Sequence, residues 1–350
     1  MSQSGFHKHR FGILLFLAAC VLSIGVPDLT EARAFQLAGE RGTRSKPSDI
    51  PEEWKGLVGE YRLGADTILV MEQEGALHLL ETSGRTRRLV PMGKDSLMAG
   101  DILCTFRRSA ERRGTSLTIG ASIYHRVLFG NEGGNSFRIK PLGTVETLRK
   151  VALEAPPPRE QGEFKSFDLV ELTRLDTTIH LDIRYATRNN FMGEQFYSQP
   201  RAFLQRPAAI ALVRAHRALL KRGYGMLIHD AYRPWYVTRM FWDATPAEQK
   251  NFVADPSKGS RHNRGCAVDL SLYDASTGLP VEMVSGYDEF SHRAYPGYPG
   301  GTSLQRWYRR ILREAMENEG FSVFIWEWWH YDYQEWRDYT IGTITFEMIR

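Results

Sequence analysis

The sequence has little cysteine and no long block of one charge, and these two shortages argue against a thiolate metal site and against a nucleic-acid partner. Three cysteines occur in 350 residues and no CxxC pair is present, so a thiolate zinc site is not supported. The net charge of +4 comes without a run of Lys and Arg, which argues against a nucleic-acid partner. No internal repeat is evident. Cys104 and Cys266 fall in different predicted domains, and we expect two free, partly buried thiols.

The N-terminus has the pattern of an export signal. A short basic stretch, residues 7–10, precedes an apolar run over residues 11–26, and residues 32–34 offer small side chains to a signal peptidase. The run is shorter than the about 20 residues that a membrane span needs. We therefore predict a signal peptide over residues 1–34 and an exported, periplasmic protein. The alternatives are a lipoprotein attached to a membrane through Cys20 and, less favoured, a retained anchor.

Composition and periodicity divide the remaining chain into two domains. Residues 51–150 contain short apolar runs separated by glycine and charged residues, which predicts a small β-rich, barrel-like accessory domain. This region has no cluster of His, Cys or carboxylates, so we assign it a structural or binding role. A proline-rich linker is predicted over residues 151–166. Helix and strand patterns mix without a regular βαβ repeat over residues 167–350, which predicts an α+β catalytic domain. Its last strand is expected at residues 321–329.

Three single residues have the chemistry of a metal site. His262 lies in a glycine-containing loop, Asp269 lies on the strand that follows, and His330 ends the last strand. A hydrolytic zinc site commonly takes three nitrogen or oxygen ligands and leaves one position open for water. On spacing alone, a metal site and unrelated surface or core residues are equally supported, since single His and Asp residues are common.

Two further residues have side chains that peptide hydrolysis would use. Glu327 lies three residues before His330; it could act as a base toward water and then as an acid toward the leaving amine. On a regular strand these two side chains point to opposite faces, so the hypothesis requires a bulge or a turn. Arg233 precedes Pro234 and could stabilise an oxyanion, although a lone arginine is more often an ion-pair partner.

Several motifs together resemble a known family. Ser260 to Asp269 reads Ser-x-His-x-x-Gly-x-Ala-x-Asp, and Glu327-x-x-His330 follows later. The pair is similar to the zinc D-Ala-D-Ala metallopeptidases, which include D,D-carboxypeptidases. Two more segments, residues 182–187 (Asp-Ile-Arg-Tyr-Ala-Thr) and 230–234 (Asp-Ala-Tyr-Arg-Pro), narrow the resemblance to the D-alanyl-D-alanine dipeptidase branch, the VanX type. It covers about residues 167–338.

The resemblance implies roles for the matching positions. His262, Asp269 and His330 match the ligands of one zinc ion, Glu327 matches the catalytic base, and Arg233 matches the arginine that stabilises the transition state. The implied substrate is free D-Ala-D-Ala. A peptidoglycan D,D-carboxypeptidase or endopeptidase with the same zinc site is an alternative. So is a zinc-binding cell-wall recognition protein without catalysis, although pure binding would need neither the base nor the arginine. The β-rich domain is foreign to the usual single-domain dipeptidase, which leaves the physiological substrate open.

Overall fold

A computed structural model describes residues 45–130 and 138–349, and it places a closed β-barrel before a mixed helix and strand domain. The predicted signal peptide, residues 1–34 with Cys20, lies outside the described residues. Within the part of the chain that is described, no helix has the length and apolarity of a membrane span.

The barrel consists of eight antiparallel strands, each hydrogen-bonded to the next, with β8 returning to β1. A short helix, α1 (Glu52–Lys55), precedes the strands. Their bounds are β1 Gly59–Leu63, β2 Asp66–Gln73, β3 Ala76–Leu80, β4 Thr86–Pro91, β5 Ser96–Ala99, β6 Ile102–Arg108, β7 Gly114–Ile119 and β8 Ser122–Arg126. Along β2, Ile68 and Val70 join the barrel core, whereas Leu69 and Met71 join the core of the second domain. The strand is therefore buried on both faces, because alternate side chains point to opposite sides.

The second domain is built on a five-stranded sheet in the order β10, β12, β13, β15, β14, in which only the β10–β12 pair is parallel. A separate two-stranded sheet pairs β9 with β11. The strands of the two sheets are β9 Leu169–Glu171, β10 His180–Leu181, β11 Phe203–Gln205, β12 Tyr224–Asp230, β13 Ala267–Asp274, β14 Phe321–Phe324 and β15 Glu327–Tyr333. Its helices are α2 Val145–Glu154, α3 Leu172–Leu175, α4 Arg206–Leu220, α5 Trp235–Ala244 and α6 Ser303–Glu317. The mixed architecture agrees with the α+β prediction. Helix α2 extends into the segment predicted as the linker.

The last apolar run forms a hairpin rather than the single strand predicted at residues 321–329. Strand β14 ends at Phe324, residues 325–326 form the turn, and β15 begins at Glu327. Ile325 is 60% exposed at the tip, and the Trp326 ring packs edge-on against Tyr295 at 5.1 Å. Hydrophobicity alone therefore concealed the turn, because its two residues are apolar. Cys104 and Cys266 are free and buried, as predicted.

Candidate active site

Three predicted metal ligands meet at one point. His262, Asp269 and His330 are all buried, and one ligand atom from each lies within 4.8 Å of the others. The Nδ1 atom of His330 lies 2.9 Å from Asp269 Oδ1, and Nε2 of His262 lies 3.4 Å from the same oxygen. Two imidazole nitrogens and one carboxylate form a donor set that suits zinc and leaves room for a fourth ligand. The residues therefore fit a divalent metal ion.

The sheet register explains why ligands far apart in sequence converge. Asp269 on β13 pairs directly with His330 on β15, and Asp230 at the end of β12 pairs with Asp269 from the other side. Directly opposed residues in antiparallel strands have Cβ atoms about 4.5–5.5 Å apart. The strand order β12, β13, β15 thus brings three polar side chains to one level of the sheet.

A tight 3₁₀ turn over residues 261–264 delivers the remaining ligand. The Ser260 hydroxyl accepts a hydrogen bond from the His262 amide at 3.3 Å, and the Asn263 side-chain oxygen accepts from the Ser260 amide at 2.7 Å. Gly265 follows with φ of 68°, a left-handed conformation that glycine adopts without strain. A Cβ there would come within 2.7 Å of Leu169. The motif's serine and glycine therefore shape the turn that aims His262.

Hydrogen bonds fix the orientation of both imidazoles. Nδ1 of His262 donates to the Ala231 carbonyl at 2.7 Å, which leaves Nε2 free to bind a metal. Nε2 of His330 donates to Asp332 Oδ1 at 3.0 Å, which leaves Nδ1 toward Asp269. Such outer partners set the tautomer and raise the basicity of a metal-bound histidine. The sequence reasoning missed Asp332, although strand alternation places it on the same face as His330.

The charges around the three candidate ligands favour a bound cation. Burial opposes the ionised form of Asp269, but His262 and His330 outweigh it and lower the pKa of this carboxyl. Burial also opposes a charged His330, yet hydrogen bonds to Asp269 and Asp332 raise its pKa well above its ordinary value. A positive charge is therefore stabilised at this position, and a bound metal would replace the proton on His330.

A bulge brings Glu327 toward the metal ligands. Opposite β14, Val323 pairs with Tyr331 and Phe324 pairs with Glu327, so the register shifts between these two pairs. Glu327 Oε2 consequently lies 3.8 Å from His330 Nδ1, with 30% of its side chain exposed. The bulge that the sequence argument required is present. Burial raises the pKa of Glu327, and the charge of Asp269 adds to this increase.

Arg233 is buried and held by a carboxylate. Its Nε and Nη2 atoms donate to Asp230 Oδ2 at 3.1 and 2.6 Å, while Tyr197 donates to the other oxygen at 2.6 Å. Its guanidinium carbon lies 5.3 Å from the Tyr185 ring centroid. Burial opposes the charge, but Asp230 raises the pKa of Arg233 well above its ordinary range. Nδ1 of the candidate ligand His262 lies 3.7 Å from Asp230 Oδ2, so Asp230 links Arg233 to the ligand cluster.

A match to a known protein family accounts for this combination of residues. The model for peptidase family M15, described as D-Ala-D-Ala dipeptidase, matches residues 165–341. The chain belongs to this family. The family resemblance inferred from the motifs is thereby confirmed, and the match includes all five candidate site residues but not the barrel.

Curated members of the dipeptidase family support the same assignment. The D-alanyl-D-alanine dipeptidase of Escherichia coli (strain K12) is 32% identical over 47% of this chain and 84% of its own length. The enzyme of that name from Enterococcus faecium is 33% identical over 46% of this chain and 91% of its own length. The corresponding protein of Streptomyces coelicolor is 31% identical over 48% and 92%.

Two neighbouring residues of the dipeptidase-family domain, Tyr287 and Asp288, lie at the site without having been predicted. The Tyr287 hydroxyl donates to Asp269 Oδ2 at 3.0 Å, and the Tyr185 hydroxyl lies 3.1 Å from the carboxyl of Asp288. Asp288 has φ of 55°, a conformation that is uncommon outside glycine. Neither residue lies in the quoted motifs that carry the ligands, and no local spacing signal distinguishes them.

Proposed function

We propose that this protein is an exported zinc dipeptidase that hydrolyses D-Ala-D-Ala. The observation that carries the proposal is the convergence of His262, Asp269 and His330 with Glu327 beside them. The curated relatives named above are all D-alanyl-D-alanine dipeptidases. Zinc is the proposed ion because its preferred ligand set is imidazole and carboxylate with one open position.

Each chemical task of peptide hydrolysis can be assigned to a residue of this chain. A zinc ion held by the three ligands would supply positive charge that activates water and polarises a peptide carbonyl. Glu327 would accept the proton of the attacking water and return it to the leaving amine. Its raised pKa favours both halves of that exchange, since a base and acid works best when its pKa lies near the working pH.

Arg233 is proposed to stabilise the oxyanion. Asp230 accepts one hydrogen bond from Nε and one from Nη2, so the two Nη1 hydrogens and the second Nη2 hydrogen are the donors that could face a substrate oxygen. The rings of Tyr185 and Phe241 lie 5.3 and 5.1 Å from its guanidinium carbon and limit its movement. A donor that is fixed before the reaction contributes more than one that must reorganise.

Export to the periplasm is part of the same proposal. It depends on the basic, apolar and small-residue pattern of residues 1–34. Cleavage after residue 34 would leave a soluble enzyme, whereas processing at Cys20 would attach it to a membrane. Mass spectrometry of the protein recovered from the producing cell distinguishes the two products by their N-termini.

The test is alanine release from D-Ala-D-Ala by the purified mature chain. Zinc-loaded wild type is compared with chelator-treated protein and with Glu327→Gln, and Glu335→Gln serves as the matched control because Glu335 pairs with Lys165 away from the site. We expect metal-dependent release that falls by at least about 100-fold in Glu327→Gln alone. Absence of release by zinc-loaded wild type would overturn the dipeptidase assignment. Release of a terminal D-Ala from an N-acylated tripeptide, with none from the free dipeptide, would favour the carboxypeptidase alternative.

A further inference from the structure

The segment between β13 and α6, residues 275–302, contacts the active site on one side and the barrel on the other. On the active-site side, Tyr287 donates to the candidate ligand Asp269 at 3.0 Å. Its ring also stacks on His229 with centroids 4.7 Å apart. A hydroxyl that donates to a metal-binding carboxylate orients that carboxylate and tunes its affinity for the metal. The position of this segment therefore determines where the Tyr287 hydroxyl meets Asp269.

On the barrel side, one buried carboxylate holds the same segment. Glu60 on β1 is only 2% exposed. Its Oε1 atom accepts hydrogen bonds from His292 Nε2 at 2.8 Å and from the Tyr298 hydroxyl at 2.7 Å. Both donors belong to the second domain and follow Tyr287 within 11 residues. A buried carboxylate must be compensated by such donors, so its two partners are fixed in place.

A second barrel carboxylate holds the end of the segment. Glu72, at the end of β2, accepts from the Ser303 amide at 2.6 Å, at the first residue of α6. Arg306 donates to the Glu72 carbonyl at 2.6 Å and to the Gly301 carbonyl at 3.0 Å. The N-terminus of a helix favours an acceptor with negative charge. Glu60 and Glu72 thus hold the segment at two points on the side opposite the active site.

The apolar contacts place this interface in the core of the molecule. Leu69, directly opposite Glu60 in the β1–β2 ladder, belongs with Met71 to the buried cluster of the second domain. The barrel is therefore packed against the segment and is more than a tethered neighbour. Burial of this kind restricts the movement of the groups it encloses.

We propose that the barrel is a positioning module and that Glu60 is its positioning residue. Through His292 and Tyr298 it fixes the backbone that carries Tyr287, and so it sets the orientation of Asp269 and the affinity of the site for its metal. This inference rests on the proposed function for its kinetic readout, but the metal-affinity readout is independent of turnover.

The experiment is a double-mutant cycle on the full mature chain. Glu60→Ala, Tyr287→Phe and the double variant are compared for kcat/KM on D-Ala-D-Ala and for zinc affinity measured by competition with a chromophoric chelator. Glu81→Gln is the control, because the Glu81 carboxylate pairs with Arg87, another residue of the barrel. We expect Glu60→Ala to lower kcat/KM and zinc affinity by about tenfold each, the effect typical of losing a group that orients a metal ligand. Glu60→Gln should recover part of the loss, since an amide oxygen still accepts from Tyr298.

Coupling between the two positions decides the question. If Glu60 acts through Tyr287, its removal has little further effect in the Tyr287→Phe background. Full additivity, or a folded Glu60→Ala variant with zinc affinity and kcat/KM within twofold of wild type, would overturn the proposal. Should Glu60→Ala fail to fold, Tyr298→Phe removes one donor with a smaller perturbation and is judged by the same criteria. If wild type binds zinc but releases no alanine, the proposed function fails while the zinc arm still tests the barrel's role.

Discussion

The contact between His330 and Asp332 yields the most direct test of the metal site. Asp332 Oδ1 accepts from His330 Nε2 at 3.0 Å, and it also pairs with Arg261. Asp332→Asn keeps an acceptor oxygen but removes the charge that makes the imidazole a better ligand. Asp332→Ala removes both. Mutation of outer-shell partners typically costs about 10–100-fold in metal affinity.

The two substitutions should fall at opposite ends of this range of lost metal affinity, about 10–100-fold. We expect about a tenfold loss of zinc affinity for Asp332→Asn, or ~1.4 kcal/mol, and close to about 100-fold for Asp332→Ala, or ~2.8 kcal/mol. The lost ion pair is a separate effect. The Arg261 side chain is 38% exposed, so solvent screening limits its contribution to folding stability to about 1 kcal/mol or less.

The assay titrates metal-free protein with zinc against a chromophoric chelator at fixed pH, because protons compete for the same nitrogens. Asp338→Asn is the matched control, since Asp338 forms an exposed pair with Lys165 and has no contact with the ligands among those described. Circular dichroism checks that each variant is folded. A folded Asp332→Ala variant that binds zinc within twofold of wild type would refute the assigned role of Asp332.

Three further predictions concern the base, the arginine and a buried histidine. Because burial raises the pKa of Glu327, the carboxyl becomes protonated on the acid side of the pH–rate profile, and kcat should decline there. A flat profile on the acid side contradicts its role as base. Arg233→Lys should lower kcat by about 100-fold while leaving zinc affinity unchanged, because one ammonium cannot satisfy Asp230 and an oxyanion together; a kcat within threefold of wild type contradicts this. Burial lowers the pKa of His216 from 6.5 to about 4. As the pH falls below 6.5, the unfolded state therefore binds a proton before the folded state does. The free energy of unfolding should fall by about 3 kcal/mol between pH 6.5 and pH 4 for this reason. Urea unfolding should show a shallower loss for His216→Gln than for wild type, and His125→Gln, on the exposed face of β8, should follow wild type.

The sequence alone identified the chemistry of the site because metal hydrolysis uses few residue types. His262, Asp269, His330, Glu327 and Arg233 were all predicted from motif and residue type. The structure brings the three ligands and Glu327 together, and Asp230 lies between Arg233 and His262. Local periodicity also predicted the β-rich first domain and the α+β second domain, since side-chain alternation and helical spacing are short-range properties.

Tertiary structure decided everything that depended on contacts across the sheet and between the domains. The bulge before His330 results from the pairing of β14 with β15, and no local pattern specifies it. Tyr287 reaches Asp269 only because its segment packs over the sheet. Glu60 belongs to none of the sequence motifs, yet its buried carboxylate accepts hydrogen bonds from His292 and Tyr298, more than 230 positions away. Such contacts are stabilised by burial of surfaces that meet only after both domains have formed, so their partners cannot be read from the order of residues along the chain.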